Sequence, residues 1–186
     1  MNRRVPVSLV ILDRDGVINR DSREYVKSAE EWVPIAGSIE AIGRLTRAGF
    51  TVAVASNQSG LARGLYDERA LDAIHEKLNT LVREAGGAVD MIVFCPHGPD
   101  DGCDCRKPRP GLLNMLARHY DLSLTGVPVV GDSLRDLEAA AATGARPLLV
   151  RTGNGAQAET RLPEDLAGVE VYDDLAAAAD ALIRGR

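Results

Sequence analysis

The sequence predicts an α/β fold with a mostly parallel central sheet and helices on both faces. Short apolar runs alternate with helical patterns along the whole chain, as in strand–helix–strand units. The first of these runs, Leu9-Val10-Ile11-Leu12, is uninterrupted, as a buried strand would be. Polar clusters also follow the apolar runs at once, where open α/β sheets place their ligand crevice.

Residues 5–12 read as the first strand. Residues 37–48 are helical, with Ile39, Ile42 and Leu45 on one face and Gly49 as the stop. Residues 51–55 form a second strand. Asp67 is placed to cap a long helix through residue 85, with Leu71, Ile74, Leu78 and Leu81 inward and Gly86-Gly87 at its end. Residues 89–94 make a third strand. Pro110 opens a helix through residue 119, since proline suits a first turn. Residues 127–130 form a fourth strand, and Ser133 caps a helix to residue 142. Residues 147–150 are a short fifth strand, and the last helix covers residues 174–183. Residues 152–166 show little pattern and read as a surface loop. No repeat, low-complexity tract or linker divides the chain, so residues 1–186 are expected to form a single domain.

The composition, 45% hydrophobic and 26% charged, is that of a water-soluble globular protein. A net charge of −5 argues against a general nucleic-acid binder, which would carry a basic face. No apolar run approaches the length of a membrane span. The basic start, Met1 to Arg4, leads into too short an apolar stretch for a signal peptide. These features point to a cytoplasmic protein with no membrane or nucleic-acid partner. All three cysteines fall within residues 95–105, which suits a reducing compartment and metal binding better than disulfides.

Four clusters carry candidate chemistry. Asp13 and Asp15 follow the first strand two residues apart, with Gly16 next. Residues so spaced in a strand share a face, so both carboxylates should emerge together, and they repel unless a cation or proton intervenes. Ser56-Asn57-Gln58-Ser59 follows the second strand with small hydroxyl and amide groups suited to phosphate oxygens. Arg106-Lys107 precedes a helix, and a lysine there can neutralise phosphoryl charge. Asp132, after the fourth strand, is a natural oxygen ligand for Mg²⁺. Read singly, each is also an ordinary turn, cap or solvated pair.

Together these residues resemble the haloacid dehalogenase superfamily of phosphohydrolases. Asp13-Arg14-Asp15-Gly16-Val17 matches its first motif, Ser56 its second, Lys107 its third, and Gly131-Asp132 with Asp136 its fourth. The resemblance runs to about residue 155. It implies a Rossmann-like three-layer sandwich, with Asp13 as nucleophile forming an aspartyl-phosphate. It implies Asp15 as general acid and then base, and Ser56 and Lys107 as holders of the phosphoryl oxygens. Catalytic Mg²⁺ would bridge Asp13, the Asp15 backbone carbonyl and Asp132.

Cys95, His97, Cys103 and Cys105 offer a full tetrahedral set for a structural Zn²⁺, with glycine and proline between them to let the loop wrap. The loop leads straight into Arg106 and Lys107, so a metal there would fix the phosphate-binding arm. Cys-Pro-His and Cys-Asp-Cys-Arg-Lys-Pro resemble the branch that holds the heptose bisphosphate phosphatases and the histidinol-phosphatase domain. Asn57 to Gly64 and Val150 to Gly153 bring the heptose enzymes nearer. The resemblance implies hydrolysis of the C7 phosphate of a heptose 1,7-bisphosphate, which supplies activated heptose for surface polysaccharide. Substrate contacts would come from Asp21, Tyr25, Ser56, Asn57, Gln58, Ser59, Arg106 and Lys107, although Arg23-Glu24 includes one residue more than the family pattern. The span from His97 to Cys103 is short, implying a minimal cap, and small size points to a monomer. The same residues would also suit a histidinol-phosphate or other small-sugar phosphatase. The intact acidic, Ser56 and Lys107 set argues against a phospholigand-binding module without turnover. His75 and His119 read as surface or half-buried residues, Trp32 as core, and Asp136 as support for the metal shell.

Overall fold

The computed structural model describes residues 8–186, so residues 5–7 of the expected first strand lie outside the described residues. The strands are β1 (Ser8–Leu12), β2 (Phe50–Asn57), β3 (Met91–Cys95), β4 (Pro128–Gly131), β5 (Arg146–Val150) and β6 (Glu170–Tyr172). They pair in parallel in the order β3-β2-β1-β4-β5-β6. The chain therefore builds outward from β1 to β3, then returns to lay β4 on the other side of β1. The strand order reverses between β1 and β4, which is where a crevice opens at the carboxyl ends of the strands.

The continuous apolar runs follow from burial on both faces. Val10 and Leu12 of β1 pack with Val52 and Val54 against α1 (Ser38–Arg47), α2 (Glu68–Glu84) and α6 (Leu175–Arg184). Leu9 and Ile11 face the opposite way, with Ala53 and Ala55, against α3 (Gly111–Tyr120) and α4 (Leu134–Ala141). The expected caps form. Asp67 accepts from the Ala70 N–H at 2.9 Å, and Ser133 with Asp136 closes a capping box on α4.

The structure corrects the expectation for residues 152–166. They are not a plain loop: α5 (Gly155–Glu159) and a 3₁₀ turn at Glu164–Leu166 lie within them, and β6 follows. These pieces are too short to show periodicity. They are held by tertiary packing of Ala158 and Leu166 on Leu137 and Leu149. β2 also runs beyond residue 55, because Ser56 and Asn57 still pair with Phe94 and Cys95 of β3.

Residues 13–37 connect β1 to α1 and border the carboxyl edge of the sheet. Val17, Ile18, Val26 and Trp32 anchor this connection in the core. Trp32 is a core residue as expected, fully buried, with the Lys77 ammonium donating to its backbone carbonyl at 2.8 Å. No inserted cap module stands over the edge among the described residues. Trp32→Ala should cost about 3–5 kcal/mol by opening a cavity under this connection. Urea unfolding checks it, and a loss below about 1 kcal/mol would mean that the connection does not depend on Trp32.

Candidate active site

A cleft of about 270 Å³ opens at the β1–β4 switch, lined by Asp13, Asp15, Ser56, Lys107 and Asp132 together with residues of the 21–26 loop. Asp13 lies just past β1, and its N–H donates to the Val130 carbonyl at 2.9 Å, extending the β1–β4 pairing by one residue. A tight turn follows, closed by Ile18 N–H to Arg14 O at 2.8 Å and Gly16 N–H to Asn19 O at 2.7 Å. Gly16 has φ +88°, and a Cβ there would strike the Asp132 carboxylate. Gly153, at φ +57°, adjoins Gly16, and a Cβ there would strike the same carboxylate oxygen. Only glycine permits both the backbone conformation and this approach.

Lys107 is the cation of the site. It is 4% exposed, and its ammonium donates to Asp13 Oδ1 at 2.9 Å, to Asp136 Oδ1 at 2.5 Å and to the Ala55 carbonyl at 2.7 Å. Burial opposes its charge, but Asp13 and Asp136 outweigh that and lift its pKa above the ordinary lysine value. Its backbone is clamped by Asn57, whose amide accepts from Lys107 N–H at 3.0 Å and donates to Lys107 O at 3.1 Å. Asp136 uses its second oxygen on Ser133, so it supports Lys107 while capping α4.

The two carboxylates of the first motif sit in opposite environments. Burial raises Asp13 to about 7; Lys107 opposes this, while Asp136 and Asp15 add to it. Burial also pushes Asp15 upward, but Arg14, Asn19 and Gln58 overcome it and hold the carboxyl below its usual range. Asn19 Nδ2 donates to Asp15 Oδ1 at 2.8 Å and Gln58 Nε2 to Oδ2 at 2.8 Å. Asp132 is raised to about 8 by burial and by the charges of Asp13 and Asp136. Its Oδ2 accepts from the Asn154 N–H at 2.8 Å.

The carboxylates fit a divalent cation. Asp13, Asp132 and Asp136 each place an oxygen within 4.8 Å of the others, the two glycines leave the space, and Asp132 has no cationic side chain bonded to it. Such a crowded, buried oxygen set suits Mg²⁺. Asp15 is not in this group, because its side chain is turned into the Arg14 and Gln58 network; only its backbone carbonyl can serve as a ligand. The cysteine loop fits Zn²⁺. Cys95 Sγ lies 3.1 Å from Cys105 Sγ and 3.6 Å from Cys103 Sγ, and His97 Nδ1 lies 3.5 and 3.3 Å from Cys95 and Cys105. A zinc tetrahedron with bonds near 2.3 Å has edges of about 3.8 Å, so little contraction or expansion is needed. Burial pushes the Cys95 thiol up to about 12, so its thiolate calls for a cation beside it.

Most of the expected substrate residues line the cleft. Asp21 accepts from the Asn154 amide at 3.0 Å, Tyr25 sits at φ +64° beside Arg63, and Arg106 donates to the His97 carbonyl at 3.2 Å. Asn57 and Gln58 line it too, but their amides are committed to protein groups. Sequence reasoning gave no role to Arg14, Asn19, Tyr66, Asn154 and Arg135, while Arg23 fell inside the expected Asp21–Tyr25 stretch. Arg14 stood inside the first motif, where it carried no role of its own. Asn154 lay in the stretch taken for a loop. His75 is half-buried as expected, yet it lies 3.5 Å from Arg14 behind Asp15, and burial with Arg14's charge lowers it to about 4.

Asp13 and Asp132 have folded pKa values raised above the unfolded one. Their protonated forms stabilise the fold below about pH 4, and this contribution is lost as pH rises through about 7–8. Mg²⁺ must displace those protons at low pH. The Mg²⁺-induced rise in Tm should therefore be larger at pH 8 than at pH 5, with affinity roughly tenfold or more weaker at pH 5. Equal shifts at both values would separate the cation from these carboxylates.

The sequence matches the HAD-hydrolase-like family over residues 104–178 and the polynucleotide kinase 3 phosphatase family over residues 8–135. A D-glycero-β-D-manno-heptose-1,7-bisphosphate 7-phosphatase of Pseudomonas aeruginosa is 58% identical over 95% of this chain and 98% of its own length. Its counterpart in Bordetella bronchiseptica is 56% identical over 96% and 99%. The crystal structure of the D,D-heptose 1,7-bisphosphate phosphatase from B. bronchiseptica, complexed with magnesium and phosphate, superposes with a TM-score of 0.93 at 55% identity, covering 97% of this chain and 100% of that one.

Proposed function

The chain belongs to the D-glycero-β-D-manno-heptose-1,7-bisphosphate 7-phosphatase family of HAD-like hydrolases, and we propose that it removes the C7 phosphate of that sugar through an aspartyl-phosphate on Asp13. The observation that carries the reading is the division of labour between Asp13 and Asp15. One carboxylate faces the cation cluster, while the other is turned away from it into donors. A nucleophile and a proton carrier need such separate surroundings.

Asp13 attacks phosphorus, and the bond from phosphorus to the C7 oxygen breaks. The electron pair leaves with that oxygen, and Asp15 supplies its proton. Asp15 is ionised in the free site, so it takes up this proton as the phosphate's negative charge arrives beside it. In the second step Asp15 removes a proton from water, whose oxygen attacks the phosphorus of the aspartyl-phosphate. The bond to Asp13 breaks, inorganic phosphate leaves, and Asp15 gives up the proton it took from water, so both carboxyls return to their starting states. Ser56 accepts from Gln58 at 2.8 Å, which leaves its own proton for a phosphoryl oxygen, and Lys107 supplies positive charge beside Asp13. Mg²⁺ held by Asp13, Asp132 and the Asp15 carbonyl would offset the repulsion between nucleophile and phosphate.

Arg106, half-buried at the rim, is suited to fork onto the phosphate that remains, and Asp21 and Tyr25 to contact the sugar. Zinc held by Cys95, His97, Cys103 and Cys105 would be structural and would steady Lys107 through the chain that joins them. All these groups come from one chain, so a monomer suffices. Three free thiols suit the reducing cytoplasm. No helix among the described residues is long and apolar enough to cross a membrane.

Phosphate release from heptose 1,7-bisphosphate, histidinol phosphate and fructose 1,6-bisphosphate tests the reading. Preference for the heptose is expected; better turnover of histidinol phosphate would sink the substrate assignment. Asp13→Asn, which keeps an acceptor oxygen for Lys107, should cut kcat by roughly 10³-fold or more while keeping the fold, with no phosphoenzyme trapped on quenching. Stripping zinc, or Cys103→Ser, should lower Tm and activity together; full activity in verified zinc-free protein would show that the loop does not hold Lys107.

A further inference from the structure

Arg14 lies between the two catalytic carboxylates, yet it is only 1% exposed. Its guanidinium turns inward and forks onto Asp15. Nη2 donates to Oδ2 at 2.9 Å and to Oδ1 at 3.0 Å, with Nε at 3.2 Å from Oδ1. Nη2 also donates to Gln58 Oε1 at 3.0 Å. Gln58, 3% exposed, completes the network: Nε2 donates to Asp15 Oδ2 and to Ser56 Oγ, each at 2.8 Å, and Oε1 also accepts from the Tyr66 hydroxyl at 2.7 Å.

Every hydrogen-bonding position of the Gln58 amide is thus used, two donors and two acceptor lone pairs. The amide has one permitted orientation. Flipped, its oxygen would face the Asp15 carboxylate and its NH₂ would face two donors. A fully satisfied buried network of this kind is rigid, whereas a half-satisfied one is costly. The single amide also joins the end of β2 to the turn after β1. It fixes Ser56, which touches the phosphoryl group, relative to Asp15, which touches the leaving oxygen.

We propose that Arg14 and Gln58, anchored by Tyr66, are positioning residues. They form a buried clamp that sets the aim of the proton carrier relative to the held phosphoryl group. The proposal rests on the phosphatase reading above. A clamp of this kind acts on one part of the reaction. Departure of a basic alkoxide needs a proton delivered in line, while a stabilised aryloxide leaves without one. Loosening the clamp should therefore penalise alkyl phosphates more than aryl phosphates. A merely structural role would lower all substrates alike.

The experiment measures kcat/KM for wild type, Arg14→Lys, Gln58→Leu and Tyr66→Phe on heptose 1,7-bisphosphate and on a series of alkyl and aryl phosphates of increasing leaving-group acidity. Tm is measured for each protein. Arg14→Lys keeps the charge and loses the fork; it should lose about 10–100-fold on alkyl phosphates and no more than about 3-fold on the best aryl leaving groups, and Gln58→Leu should show a similar difference between the two classes. Gln58→Leu should add a uniform loss through Ser56. Tyr66→Phe removes one bond, is the variant least able to disturb folding, and should show the same slope in smaller measure. A uniform loss across the series in all three variants, or no loss, would overturn the clamp. Wild type inactive on the heptose yet active on the series would sink only the substrate reading, because the slope would still be measurable.

Discussion

Like charges held together in a dry crevice are the constraint on which the rest of this structure depends. Asp13, Asp132 and Asp136 converge at the β1–β4 switch, and left alone they would repel. The Lys107 ammonium spans two of them from a buried position. A buried charge of this kind is tolerable only because it is paired and fully hydrogen-bonded, and removing either partner would strand the other. The remaining charge excess on the Asp132 side is what gives the site its appetite for a divalent cation.

The neighbouring carboxylates Asp13 and Asp15 show how one short motif supplies two chemistries. Their separation in sequence is fixed at two residues, but the chain turns sharply between Asp13 and Asn19. Asp13 stays in the plane of the sheet, among other acids. Asp15 drops into a nest of donors from Arg14, Asn19 and Gln58. Opposite pKa shifts follow from these surroundings, since burial acts on both and only one receives enough donors to reverse it.

The cysteine loop reaches the Lys107 ammonium mechanically rather than electronically. Cys95 ends β3 and accepts at its carbonyl from the Gln58 N–H, while Lys107 follows Cys105 by two residues and is gripped by Asn57. The loop is thereby fastened to β2 at both ends, alongside Ser56. A metal that fixes the middle of such a loop stabilises the position of Lys107 without meeting the substrate. Asn154 plays a comparable part on the opposite rim, where it joins Asp132 to Asp21 of the 21–26 loop.

The sequence by itself determined the layered α/β architecture, five of the six strands, the caps at Asp67 and Ser133, and the Cys95, His97, Cys103 and Cys105 cluster that the fold brings together. These are local or nearly local properties. Apolar runs, capping residues and closely spaced ligands leave their mark within a few positions of one another. Tertiary structure alone decided the rest. β6 and α5 are too short for periodicity and exist because Leu137 and Leu149 offer them a surface. Arg14 carried no role of its own in the first motif, and Gln58 read as a substrate contact. The bonds that join Gln58 to Arg14 and to Asp15 depend on β2 lying beside β1, a pairing between residues more than 40 positions apart. Asn154 became part of the site only through the return of β5 next to β4. Long-range pairing chooses which polar side chains face one another, and no local pattern encodes that choice.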